Sequence, residues 1–190
     1  FAFESAKQNK KFLFVSTKKQ HSDIVKTIAE ETNNFYVNFR WLGGMLTNWN
    51  TVKKSINTLK EYETILSSEE NLFTKKELGD IEKKKIRLDK TLGGILEMKN
   101  IPDVIFIIDT NKEHIAVLEA KKLGIPIIAI IDTNCDPDPI DYPIPANDDG
   151  VKSVQFILDN FSKVIKLSSE KIETPSEKDS TKNESVEKNV

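Results

Sequence analysis

The 190-residue sequence predicts a three-layer α/β/α domain on a parallel sheet, interrupted by an inserted helical hairpin. Three observations carry this. The stretches DVIFIID (103–109) and IPIIAIID (125–132) are continuous apolar runs, the pattern of parallel strands covered on both faces. Strand-like and helix-like segments alternate, as crossover units require. Between residues 45 and 92 apolar residues recur three and four apart on otherwise charged segments, which marks a narrow helical seam.

The first expected strand is FLFVS (12–16). It is followed by a helix with Ile24, Val25, Ile28 and Ala29 on one face, then by a second strand, FYVNF (35–39). Such a βαβ unit implies a right-handed crossover and a parallel pair. The first hairpin arm is read from about 45 to 66 on Trp49, Val52, Ile56 and Leu59. The second is read on Leu78, Ile81, Leu88, Leu92 and Ile95, with Lys85 breaking one seam position. Thr74 and Glu77 have capping-box spacing, and Gly43-Gly44 and Gly93-Gly94 bracket the insertion. Between the two apolar strands, a helix is expected with Ala116, Val117, Ala120 and Leu123 toward the sheet and Gly124 as its C-cap. A last helix at about 148–167 carries Val151, Val154, Leu158, Phe161 and Ile165 on one stripe. The proline-rich 136–149 segment is expected to run extended across the surface. The resulting units are a discontinuous sandwich domain (1–44 and 93–167), a coiled-coil hairpin (45–92) and a disordered polar tail (168–190).

Composition narrows the function classes. No apolar run approaches the roughly 18–20 residues that span a bilayer, so no membrane partner is expected. The opening residues lack the apolar core of a secretory signal, and without an initiator Met the sequence is expected to begin mid-protein. A single cysteine, Cys135, excludes an internal disulfide and points to a reducing compartment. The net charge of −2 hides a gradient: residues 1–60 hold ten basic and four acidic side chains, residues 101–167 six and eleven. A polyanion would dock on the first third.

The most enzyme-like feature is a repeated IIDTN, which sets Asp109 and Asp132 at the C-terminal ends of two strands, where ligands bind in open parallel sheets. The pair supports an alternative reading as a metal- or nucleotide-dependent enzyme; the plainer reading is helix and turn capping. No phosphate-binding glycine motif accompanies it, His21 and His114 read as surface or capping residues, and Cys135 has no basic sequence neighbour, so no catalytic residue, cofactor or metal is expected. The basic, aromatic residues are the better candidate: Lys18 and Lys19 at the first βα turn, beside a helix N-terminus, and Asn38, Arg40, Trp41, Asn48, Lys53 and Lys54 at the hairpin root combine phosphate-neutralising cations with amides and a ring. Trp41 and Trp49 equally suit packing of the root, and for Trp49, on the seam, packing is the better fit.

With these residues in place, the sequence resembles a known family. The stretches FLFVSTKKQ (12–20), FYVNFRWLGGMLTNW (35–49), IFIIDTNKEHIAVLEAKKLGIPIIAIIDTNCDPD (105–138) and IDYPIPANDDGVKSV (140–154) are similar to bacterial-type small-subunit ribosomal protein S-two. The resemblance covers residues 11–167. It implies a flavodoxin-like sandwich with a protruding hairpin, and a structural role in assembly of the small ribosomal subunit and in translation. It further implies contacts to small-subunit rRNA and neighbouring ribosomal proteins, attachment of the large messenger-binding protein S-one, and a bacterial cytoplasmic or organellar ribosome. By position, the TKKQ, RWLGG and LTNW segments are the RNA-facing ones. Family members carry further residues before this point, including an HFGH-type segment, so part of the contact surface is expected upstream. A scaffold acting through the hairpin alone is a third reading.

Overall fold

A computed structural model describes residues 1–68 and 73–170. Five strands form one sheet: β1 (Phe12–Val15), β2 (Phe35–Val37), β3 (Val104–Ile108), β4 (Ile127–Ile131) and β5 (Tyr142–Pro145). They pair in the order β2-β1-β3-β4-β5, parallel throughout. Because successive side chains leave a strand on opposite faces, the apolar runs feed two cores. Phe12, Phe14, Val104, Phe106 and Ile108 join the core that holds residues of α1 (Ala2–Lys7), α2 (Ser22–Glu31) and α6 (Val151–Glu170). Leu13, Val15, Ile105 and Ile107 join the other, with α5 (His114–Leu123) and the hairpin root. The expected three layers are present.

Phe161 of α6 is the centre of the first core. Its ring meets Phe106 at 4.8 Å, Phe12 at 5.6 Å and Phe14 at 5.9 Å between centroids, all edge-on. Val154, Leu158 and Ile165 complete the stripe, while Val151, expected on it, is exposed. Leu123 of α5 is likewise exposed where the sequence placed it against the sheet. Both are terminal residues of their helices, where the sheet no longer reaches. Gly124 follows α5 with φ +66°, the left-handed cap that its position predicted.

Two elements were not anticipated. The short α1 has almost no apolar periodicity to read, yet buries Ser5 and Ala6 and packs on α6. The segment read as a surface strip contains β5, the sheet's fifth strand. Pro143 and Pro145 lack an N–H, and Ala146 N donates to Ile131 O at 3.0 Å. The alternation turns the two prolines to the free edge, where the missing donors cost nothing. Helix α6 continues to Glu170, three residues past the boundary drawn at 167. Residues 171–190 and 69–72 lie outside the described residues, so most of the expected tail and the turn of the hairpin are not covered.

The hairpin consists of α3 (Trp49–Ser67) and α4 (Lys75–Leu92). The first arm starts at Trp49 and not near 45, because Met45 and Leu46 turn into the core and are fully or almost fully buried. The second arm stops at Leu92 and a 3-10 turn (Gly93–Ile95) carries the chain back. Here the backbone approach is extreme: a Cβ on Gly94 would lie 2.1 Å from Tyr36 O on β2. Val52, Ile56, Leu59 and Leu92 are buried along the seam, with Leu88 half-buried. Lys85, the seam break, reaches across to Glu63 at 3.5 Å. The Thr74–Glu77 capping box forms as expected, with Thr74 N donating to Glu77 Oε2 at 2.8 Å.

Candidate nucleic-acid interface

Strand β1 has β2 on one side and β3 on the other, so the connections diverge at the C-terminal ends of β1 and β3. In open α/β sheets that crevice is where a ligand sits. Here the chain fills it with its own side chains. Lys18 Nζ lies 2.7 Å from Asp109, 3.1 Å from Asp148 and 2.6 Å from Asp149. Beside it Thr17 donates twice to Glu113 Oε1, from N at 2.8 Å and from Oγ1 at 2.5 Å. Burial alone would lower the Lys18 pKa, but the bonds to Asp109, Asp149 and Asp148 outweigh it and hold the ammonium well above its ordinary range. His21, also buried, faces Ser16 Oγ at 3.4 Å; burial first and then the charge on Lys18 lower its pKa.

Each carboxylate of the suggested pair is engaged in contacts of its own. Asp109, at φ +66°, caps the next turn by accepting from Lys112 N at 3.1 Å and keeps its other oxygen on Lys18. Asp132 accepts from Thr133 N at 2.6 Å. Among the described residues, the group whose ligand atoms converge is Asp109, Cys135 and Asp148, within 4.8 Å, and Lys18 is bonded to both of its carboxylates. Cys135, without a basic neighbour in sequence, is brought to this Lys-held cluster by the fold, its Sγ 3.9 Å from Asp148. Exposed His114 sits 3.2 Å from Asn111 O, a capping contact.

The hairpin root is organised by a residue that the sequence reading passed over. Glu119 of α5, almost fully buried, accepts five bonds: from Trp41 Nε1 (3.1 Å), Gly44 N (2.7 Å), Leu46 N (2.9 Å), Thr47 N (3.0 Å) and Thr47 Oγ1 (3.1 Å). Burial would raise its pKa, but the bonds from Thr47, Leu46, Trp41 and Gly44 bring it below the usual carboxylate range. Nothing in the sequence flags Glu119, which reads as one more surface acid on an amphipathic helix. The only hint is the concentration of backbone donors in the Gly-Gly turn at 43–47, which need an acceptor once buried.

The eight candidate residues therefore divide. Lys18 is the partly buried core of an ion-pair cluster, its ammonium taken up by three aspartates, and Trp41 is a buried ring tied to Glu119. Asn38 donates to Ser22 O (3.1 Å) and Oγ (3.0 Å), pinning the start of α2. Asn48 precedes α3 and accepts from Thr51 Oγ1 at 2.9 Å. Lys53 lies 5.8 Å above the Trp49 ring, whose Nε1 is buried without a partner among the described residues. Arg40, before the hairpin, and Lys54, in the first turns of α3, are exposed, with Lys53 half-buried beside them, and Lys19 is exposed in the turn between β1 and α2.

The family model described as ribosomal protein S2 matches residues 1–168. The chain belongs to the ribosomal protein S2 family. Curated S2 relatives named "Small ribosomal subunit protein uS2" include those of Wolbachia sp. subsp. Drosophila simulans (strain wRi), 63% identical over 154 residues, and Bartonella henselae, 54% identical over 153. The alignments cover 81% and 80% of this chain but 55% and 60% of those relatives. The chain thus spans little more than half the length of the S2 proteins it matches. Within that span the Lys18 cluster and the Glu119 clamp are internal contacts of the S2-family fold.

Proposed function

We propose that this S2-family chain is a structural constituent of the small ribosomal subunit, binding rRNA and supporting assembly and translation without catalysing a reaction. The observation that carries this reading is the filled crevice: where the fold would take a small ligand, Lys18 and its three aspartates occupy the space. The exposed cations lie on the chain before the hairpin, in the first turns of α3 and, for Lys19, in the first βα turn, and phosphate neutralisation is their natural chemistry. Lys19, Arg40, Lys53 and Lys54 serve as phosphate contacts, with Asn48 beside them for sugar or base edges. The family resemblance adds neighbouring small-subunit proteins as partners, the large messenger-binding protein S-one among them. The proposed setting is a bacterial cytoplasmic ribosome, with an organellar ribosome as the other.

Co-sedimentation tests the role: in its native cells the protein should travel with small subunits, and recovery wholly in the free fraction refutes it. The site is tested by Lys19→Ala with Arg40→Ala, which should weaken rRNA binding and flatten its salt dependence by about one unit of slope per lost contact. An unchanged slope moves the interface elsewhere.

A further inference from the structure

Helix α4 carries seven basic and four acidic residues, and they are not evenly placed. At about 100° per residue, Lys76, Lys83, Arg87 and Lys90 fall within about 60° of one another. The seam residues Leu78, Ile81, Lys85, Leu88 and Leu92 are centred on the opposite side of the same helix. All four cations are exposed, and the row extends about 21 Å along the axis. One acid shares this face, Asp80, 3.9 Å from Lys83.

A second observation falls in the same row. Gly79 lies in the helix interior between Lys76 and Lys83, where glycine is the least favourable residue after proline. The fold does not ask for it: among the described residues nothing beyond its chain neighbours and the helix's own backbone lies within 4 Å of the place its Cβ would take, and its φ is not in the left-handed region. A gap in side-chain cover with no internal use fits a site where another backbone comes close to the helix. Ile86, seven residues on and 48% exposed, is the one large apolar side chain beside it.

We propose that the outward face of α4 is a second RNA-docking surface, on which a phosphate backbone lies along the four cations and approaches the helix most closely at Gly79. The inference rests on the reading of the chain as a small-subunit constituent and extends its contacts from the hairpin root to the arm. A protein partner fits less well, because an interface core needs aromatic or apolar anchors and this face offers only Ile86.

The test uses the full chain and small subunits depleted of their S2-family protein, rebound over a salt series. If the unaltered chain fails to rebind, the subunit reading itself falls. If it rebinds, Lys76→Gln, Lys83→Gln, Arg87→Gln and Lys90→Gln together should weaken binding and lower the salt slope by about 0.7–0.9 per lost phosphate contact. Full rebinding, or a loss of affinity with the slope unchanged, overturns the proposal, the latter by pointing to a protein neighbour. Gly79→Ala separates docking from folding. It should raise the Tm by about 2–4 °C through helix propensity and yet weaken rebinding several-fold. A stabilised variant that rebinds as well as the unaltered chain overturns the close approach at Gly79.

Discussion

At the scale of single residues, the partly buried Lys18 and the buried Glu119 decide how the molecule responds to substitution and acid. Lys18 compensates two almost fully buried carboxylates, Asp109 and Asp148, so Lys18→Met should cost about 3–5 kcal/mol, because breaking a buried pair strands its partners. Urea unfolding reads this directly. The salt slope of rRNA binding should not change in that variant, which sets Lys18 apart from Arg40. Glu119→Ala should destabilise by about 2–4 kcal/mol, since it leaves Trp41 Nε1 and the backbone N–H groups of Gly44, Leu46 and Thr47 without an acceptor. The pH dependence follows from the depressed pKa of Glu119. A carboxylate whose folded pKa lies below its unfolded value, about 4.3, contributes its full stabilisation above that value and loses it as the pH falls through the folded one. Stability measured from neutral pH down to about pH 3 should therefore fall less steeply in Glu119→Gln than in the unaltered chain.

The elements show how far a pattern in sequence can be trusted, and where it stops. Strands β3 and β4 were legible because burial on both faces leaves no room for a polar residue, and α6 because its stripe repeats over four turns. The hairpin was legible for the same reason, down to its capping box. Strand β5 was not, since its prolines argue against a central strand and the sequence does not say that it lies at an edge. Nor was the division of the eight candidate residues, because Lys18 and Lys19 look alike until the fold brings three aspartates from residues 109–149 to one of them. The seam break is a testable element-scale feature. The Lys85–Glu63 pair is partly exposed and should contribute no more than about 1 kcal/mol in a double-mutant cycle. Lys85→Leu, which completes the apolar seam, should raise the urea midpoint. The return of the hairpin is less tolerant. Gly94→Ala sets a Cβ against Tyr36 O and should lower the Tm sharply or prevent folding, because the obstacle is backbone and cannot rotate away.

Considered whole, the molecule is a sheet with both edges closed. On the β2 side the turn at 93–95 lies so close to Tyr36 that only glycine fits at 94, and on the β5 side Pro143 and Pro145 present no donors. Exposed strand edges template pairing with other chains, and proline at the edge prevents it. Pro143→Val should restore an outward N–H and promote self-association, seen as concentration-dependent light scattering; a variant that stays monomeric would show that some other feature guards this edge.

The clamp at Glu119 also sets an order of events in time. Its partners lie 72–78 residues earlier in the chain, and they include the turn that aims the hairpin. At synthesis rates of about 5–20 residues per second, roughly 4–15 s separate the emergence of that turn from the emergence of its acceptor. The second arm ends at Leu92, so the finished hairpin, with its seam but no fixed bearing, waits only about 1–5 s of that interval for Glu119. The arm is made first and aimed last.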